Sequence, residues 1–162
     1  MADPFRLVAD GLEVSLAPEE VVFFGDLLRL LGGLGGPDED PGAARLDPPV
    51  YLGDPEADAE WKRFAGAELS AARSADRSSL QTVLDALSDA HARGQSAVVV
   101  SLEEANAMLR VVNDARLVLG ARWGIDSPED YDRLRPESSE ILDYLGWFVS
   151  RLAITLSGAI DS

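Results

Sequence analysis

Apolar residues along this chain first alternate with polar ones and then recur at helical spacing. Phe5-Arg6-Leu7-Val8-Ala9 and Leu12-Glu13-Val14-Ser15-Leu16 are short β-like runs around Asp10-Gly11. An Asp-Gly pair suits the positive φ angles of a type I′ turn, so the chain is predicted to open on a β-hairpin. Pro18, Glu19 and Glu20 then start a helix, because proline fits a first turn and acids favour its positive end. That helix reaches Leu30 or Leu31 and stops at Gly32, Gly33, Gly35 and Gly36. Asp54-Pro55-Glu56 begins the next one, in which Trp61, Phe64, Ala65, Leu69 and Ala72 form an apolar stripe. After an expected break near Ser74–Asp76, Leu80, Val83, Leu84 and Leu87 continue it to Arg93-Gly94.

Ala97-Val98-Val99-Val100 is β-branched and reads as a third strand, expected to pair with the hairpin. Ser101 and Glu104 stand at capping-box spacing ahead of a helix that should reach Trp123. Its apolar residues, Ala105, Met108, Leu109, Val112, Ala115 and Leu119 on one face and Val111, Leu117 and Val118 elsewhere, predict burial on most sides. A short helical piece near Glu129–Leu134 and a final helix from about Glu137 to Leu156 complete the chain. Two stretches echo each other: Val14-Ser15-Leu16 and Val100-Ser101-Leu102 are strand ends that each lead into an acid-capped helix. The reading is a mostly α, α+β fold, with about five helices in the core and a small three-stranded sheet. Residues 1–162 form one domain, with an acidic proline-rich loop at 37–55.

That loop lies in a stretch, Pro37 to Glu60, with five prolines, eight acids and Arg45 as its one base. Val50-Tyr51-Leu52 is its expected anchor on the core. Over the whole chain 29 acids outnumber 14 bases, for a formal charge of −15, and Lys62 is the lone lysine. A surface this negative repels phosphate backbones and anionic lipid, so neither nucleic acid nor membrane is an expected partner. There is no cysteine, which removes disulfides and thiolate metal sites and suits a reducing cytoplasm. The N-terminus lacks a signal-peptide pattern, and charged residues interrupt every apolar run before the roughly 20 residues a membrane span needs.

No catalytic constellation stands out. His91 is the only histidine and sits near a helix end, where a structural role is expected. Gly32–Gly36 follow a helix rather than a strand and have no nearby lysine, so they are a helix stop and hinge, not a phosphate loop. Carboxylate pairs such as Asp54 with Asp58, and the run Asp126–Asp132, lack the spacing of a calcium loop, and no metal or cofactor is expected. Arg116 is different, because it falls inside an apolar helix with Asn113 and Gly120 at three- and four-residue steps. A buried guanidinium must be paired. The expectation is an internal ion pair or bonds to loop carbonyls, with an anion or ligand site at Asn113 and Arg116 as the alternative. On the last helix Trp147 and Ile154 point away from the Ile141, Leu145, Phe148 and Leu152 face. Either the hairpin covers them or they form a patch for a partner.

Val112-Asn113-Asp114-Ala115-Arg116-Leu117-Val118-Leu119-Gly120-Ala121-Arg122-Trp123, together with Asp143-Tyr144-Leu145-Gly146-Trp147-Phe148, resembles the actinobacterial domain-of-unknown-function family 2017. The opening hairpin, the Pro-Glu-Glu helix and the acidic loop ending in Asp54-Pro55-Glu56-Ala57 are similar to it as well. The resemblance implies no established activity and no catalytic residues; family genes often lie beside the adaptor of the Clp protease, and some members carry a transcriptional-regulator label. The expected function is therefore a non-enzymatic protein-binding or regulatory module of the bacterial cytosol, allied to Clp proteolysis. Its partner would be another protein or a second copy of the chain, through Trp147 and Ile154. A small-ligand or anion binder centred on Arg116 is the alternative, and a transcriptional regulator, which the charge disfavours, the third.

Overall fold

The computed structural model describes residues 2–48 and 50–160; Pro49, inside the expected loop, lies outside the described residues, as do Met1, Asp161 and Ser162. Strands β1 (Phe5–Val8) and β2 (Gly11–Ser15) form the hairpin, and β3 (Ala97–Val100) adds to β2, giving an antiparallel sheet of order β1-β2-β3. Phe5 stands opposite Val14, and Val14 opposite Val98. The turn differs from the expected type I′. Val8 pairs with Gly11, which leaves Ala9 and Asp10 at the turn, and among the described residues no non-glycine residue has a positive φ. Gly11 instead serves a close approach: its φ is 148°, and a Cβ there would lie 2.1 Å from the Val100 carbonyl oxygen.

Six helices are present among the described residues: α1 (Pro18–Gly32), α2 (Pro41–Leu46), α3 (Pro55–Ala92), α4 (Leu102–Arg122), α5 (Pro128–Asp132) and α6 (Pro136–Ile160). The fold is thus α+β, as the apolar pattern predicted, with one helix more. The Ser101 hydroxyl accepts the Glu104 N–H at 3.0 Å, and the Glu104 carboxylate accepts the Ser101 N–H at 3.0 Å, so the capping box starts α4 where expected. His91 ties the end of α3 to the sheet, its Nε2 lying 2.9 Å from the Leu16 carbonyl oxygen.

The core lies between the sheet, α1, the last three turns of α3, α4 and α6. Leu12, Val14, Leu87, Met108, Ala115, Leu145 and Leu152 are all 0% exposed within it. Phe148 links the layers, with its ring centroid 5.0 Å from that of Phe5 and 4.7 Å from that of Phe24. Each of these leucine, valine, methionine and phenylalanine side chains contributes roughly 1.5–3 kcal/mol by leaving water.

Three expectations need correction. First, α3 is one unbroken helix of 38 residues, about 57 Å long, with no interruption at Ser74–Asp76. Its buried positions begin only at Leu80, while Phe64 is 80% and Leu69 43% exposed. The stripe before Leu80 has helical period but little to pack against. Second, Val50, Tyr51 and Leu52 do not anchor the loop, for all three are exposed. The segment is held by polar bonds, the Asp58 carboxylate accepting the Val50 N–H at 2.7 Å and the Tyr51 N–H at 3.3 Å. Third, the 37–55 loop contains α2, which packs on α4.

Candidate functional site

A groove of about 1010 Å³ is bounded by α2, the second half of α4, the chain from Gly124 to α5, and α6. Its walls exist because of specific local choices in the sequence. Asp40 caps α2, accepting the Gly42 N–H at 2.9 Å, and Pro41 occupies the first turn. The same carboxylate takes a two-pronged bond from Arg122 at the end of α4, Nη2 to Oδ2 at 2.6 Å and Nε to Oδ1 at 3.2 Å. Asp40 is held down to about 2, first by that Arg122 bond and then by the Gly42 and Gly35 amides, which together outweigh the opposing effect of burial. Gly42 sets how close α2 sits, since a Cβ there would be 2.6 Å from Val118 Cγ1. On the opposite side the Tyr131 hydroxyl donates to Asp143, joining α5 to α6. That bond is the first cause of the raised Tyr131 pKa.

Arg116 reaches into this groove from α4. Its Nη2 donates to Asn113 Oδ1 at 3.0 Å, one turn back on the same helix. Its Nε is buried and has no hydrogen-bond partner. The expected internal ion pair is not there: no carboxylate and no loop carbonyl among the described residues pairs with this guanidinium, although Asp143 lines the same groove. The helix itself is buried as predicted, with Ala105, Met108, Val112, Ala115 and Val118 at 0–1% exposure. Arg116 stands at the edge of that burial, where α4 leaves the core and faces the groove.

Space beside Arg116 comes from glycine. A Cβ on Gly120 would meet nothing within 4 Å, and one on Gly146 would meet only Arg116 Nη1, at 3.9 Å. Packing therefore does not demand glycine at either position, yet glycine in a helix is destabilising by roughly 0.5–1 kcal/mol relative to alanine. Trp147, next to Gly146, is half-buried and forms part of the wall, with its ring centroid 6.0 Å from that of Tyr144.

The structure thus joins Arg116 and Asn113 with Trp147. Ile154, two turns farther along the same face of α6, is 60% exposed and lies outside the groove lining, so the hairpin does not cover it. Sequence reasoning missed Asp40, Arg122, Tyr131 and Asp143. The first had a readable signal in Asp40-Pro41, the same cap-plus-proline pair that starts α3 at Asp54-Pro55. Among the described residues no group of three or more His, Asp or Glu side chains could hold a metal ion. No helix among them is long and apolar enough to cross a membrane.

The molecule is thus an α+β protein with an open groove, an arginine that has no counter-ion among the described residues and an aromatic wall. The chain belongs to the family described as a domain of unknown function (DUF2017), whose profile matches residues 2–156. Neither the curated proteins nor the solved structures contain a match to it.

Proposed function

We propose that this chain is a non-catalytic binding module that holds a ligand in the groove between α2, α4, α5 and α6, with an anionic group of the ligand on Arg116. The observation that carries this reading is the guanidinium itself. It lines a cavity of about 1010 Å³, has a buried Nε with no partner, and is oriented by Asn113 alone. A partly desolvated cation with free donors is unfavourable until an acceptor arrives, so binding a carboxylate or phosphate there relieves a standing penalty. Trp147, Leu117 and Ile125 supply the apolar walls that ligand sites usually have.

A non-catalytic role fits the side chains that surround the site. The single histidine is engaged with Leu16, and the one hydroxyl that lines the groove, that of Tyr131, has its pKa raised first by its bond to Asp143, which disfavours the nucleophilic phenolate. The reading places the module in the bacterial cytosol as a regulatory component; the sequence resemblance supports that placement, the Clp link and a protein partner. A DNA-binding role is disfavoured by the net charge of −15.

Thermal-shift measurements with acetate, benzoate, phenyl phosphate and inorganic phosphate at pH 7 test the reading. At least one anion with an apolar body should raise Tm in the wild type and not in Arg116→Gln. Equal shifts in the two proteins, or none with any compound, would remove Arg116 as the ligand-holding group.

A further inference from the structure

The groove carries charges of both signs, and this narrows the ligand beyond an anion. Arg116 lines it, and so does Asp143. Asp143 precedes Gly146 by one helical turn, and Gly146 is the residue whose Cβ would stand 3.9 Å from Arg116 Nη1. The two opposite charges are therefore near neighbours across one cavity, yet they do not pair. The Tyr131 hydroxyl occupies one oxygen of Asp143 and holds the carboxylate on the α5 side, while Asn113 holds the guanidinium on the α4 side. Each charge borders the same groove, and neither has an opposite charge as its partner among the described residues. Farther along the rim Arg45 and Asp126 repeat the balance, so the lining sums to zero formal charge.

The rest of the molecule argues the same way. A ligand with net negative charge enters the field of a chain at −15, which disfavours it, whereas a ligand whose own charges cancel meets no such net opposition. The walls between the charges are apolar and aromatic: Trp147, Leu117, Ile125 and Leu142. The space left at Gly120 and Gly146 gives a flat body room to lie against them.

We infer that the groove binds a free α-amino acid with an apolar or aromatic side chain, its carboxylate on Arg116, its ammonium on Asp143 and its side chain against Trp147. Charge-assisted bonds of about 2.7–2.9 Å on either side of a ligand whose two charges are adjacent would bridge residues that do not pair with each other directly. This rests on the proposed function, in which Arg116 holds an anionic group, and adds the second charge.

Calorimetric titration separates the two statements. The probes are L-phenylalanine, 3-phenylpropionate, which lacks the ammonium, and phenethylamine, which lacks the carboxylate. L-Phenylalanine should bind at least about tenfold more tightly than either, a difference of about 1.4 kcal/mol. Asp143→Asn, which retains an acceptor for Tyr131, should bring L-phenylalanine down to the affinity of 3-phenylpropionate without weakening the latter. Arg116→Gln should abolish both. If 3-phenylpropionate binds wild type as tightly as L-phenylalanine, the amino-acid assignment is overturned while the anion-binding reading stands. Tighter binding of the dipeptide Leu-Phe than of L-phenylalanine overturns it in favour of a short peptide. Should no probe bind, the amino-acid assignment falls, and the anion-binding reading is decided by the thermal shifts with benzoate and phenyl phosphate. Gly120→Leu, whose Cβ enters open space, is the folded control in which binding should be lost with Tm preserved or raised.

Discussion

Helix α4 has two faces of opposite construction. Toward the sheet, α1 and α6 it presents Met108, Val112 and Ala115, at most 1% exposed, inside a core closed by Leu145, Phe148 and Leu152. Toward α2 and the second half of the chain it presents Arg116, Leu117, Gly120 and Ala121, which line an open groove. On the first face every side chain is accounted for by packing. On the second, a charge lacks its counter-ion and a glycine sits where larger residues would fit. One helix in one environment would not alternate so sharply between filled and unfilled surface for stability alone. Stability accounts for the first face, and the proposed binding role would account for the second.

The sharpest way to test that division is to truncate the filled face and fill the open one. Phe148→Ala should lower the unfolding free energy by about 3–5 kcal/mol, because it removes a ring 1% exposed between Phe5 and Phe24. Urea denaturation reads this directly, and a loss below about 1 kcal/mol would mean that the aromatic core is not closed as described.

A smaller and pH-dependent effect is expected where the two faces meet, at the Asp40–Arg122 pair that holds α2 as the groove wall. The folded-state pKa of Asp40 is depressed, from 3.8 to about 2. Its ionised form therefore contributes stability that is fully present above the unfolded value and is lost as pH falls through about 2. Asp40→Asn should lower the urea midpoint at pH 7, and the difference from wild type should shrink steadily between pH 4 and pH 2. A difference independent of pH over that range would show that the charge is not what holds α2.

The smallest effect has the opposite sign. Gly146→Ala should raise stability by up to about 1 kcal/mol, since its Cβ meets nothing closer than 3.9 Å. A loss of stability would mean that glycine is there for packing, and the contrast between the two faces of α4 would weaken.

How much of this was readable from the sequence depends on whether the feature is local. Strand alternation, the Ser101–Glu104 capping box and the apolar period of α4 are properties of a few consecutive residues, and the structure follows each. The placement of Arg116 in an apolar helix was legible too, but its lack of a counter-ion was not. That depends on where Asp143 sits, 27 residues on, and on the Tyr131 hydroxyl that engages it. The stripe through Phe64 and Leu69 has the right period without the burial, because periodicity describes one surface and not what lies across from it. Short α2 was hidden by its acidic, proline-rich flanks, although Asp40-Pro41 marks its start as clearly as Asp54-Pro55 marks α3. The groove was invisible for the same reason that it matters: it is made by side chains that are absent at Gly120 and Gly146 and by a helix brought in by the Asp40–Arg122 bond.

The most direct measurement uses the three tryptophan indole signals in a two-dimensional ¹H–¹⁵N spectrum, the Trp147 peak being assigned by its loss in Trp147→Phe. On addition of L-phenylalanine the Trp147 signal should move saturably while that of Trp61, on the projecting half of α3, stays fixed, and in Arg116→Gln neither should move. A Trp147 signal that stays still up to high millimolar ligand, or moves equally in Arg116→Gln, would contradict the view that this groove is built around its arginine to hold a ligand.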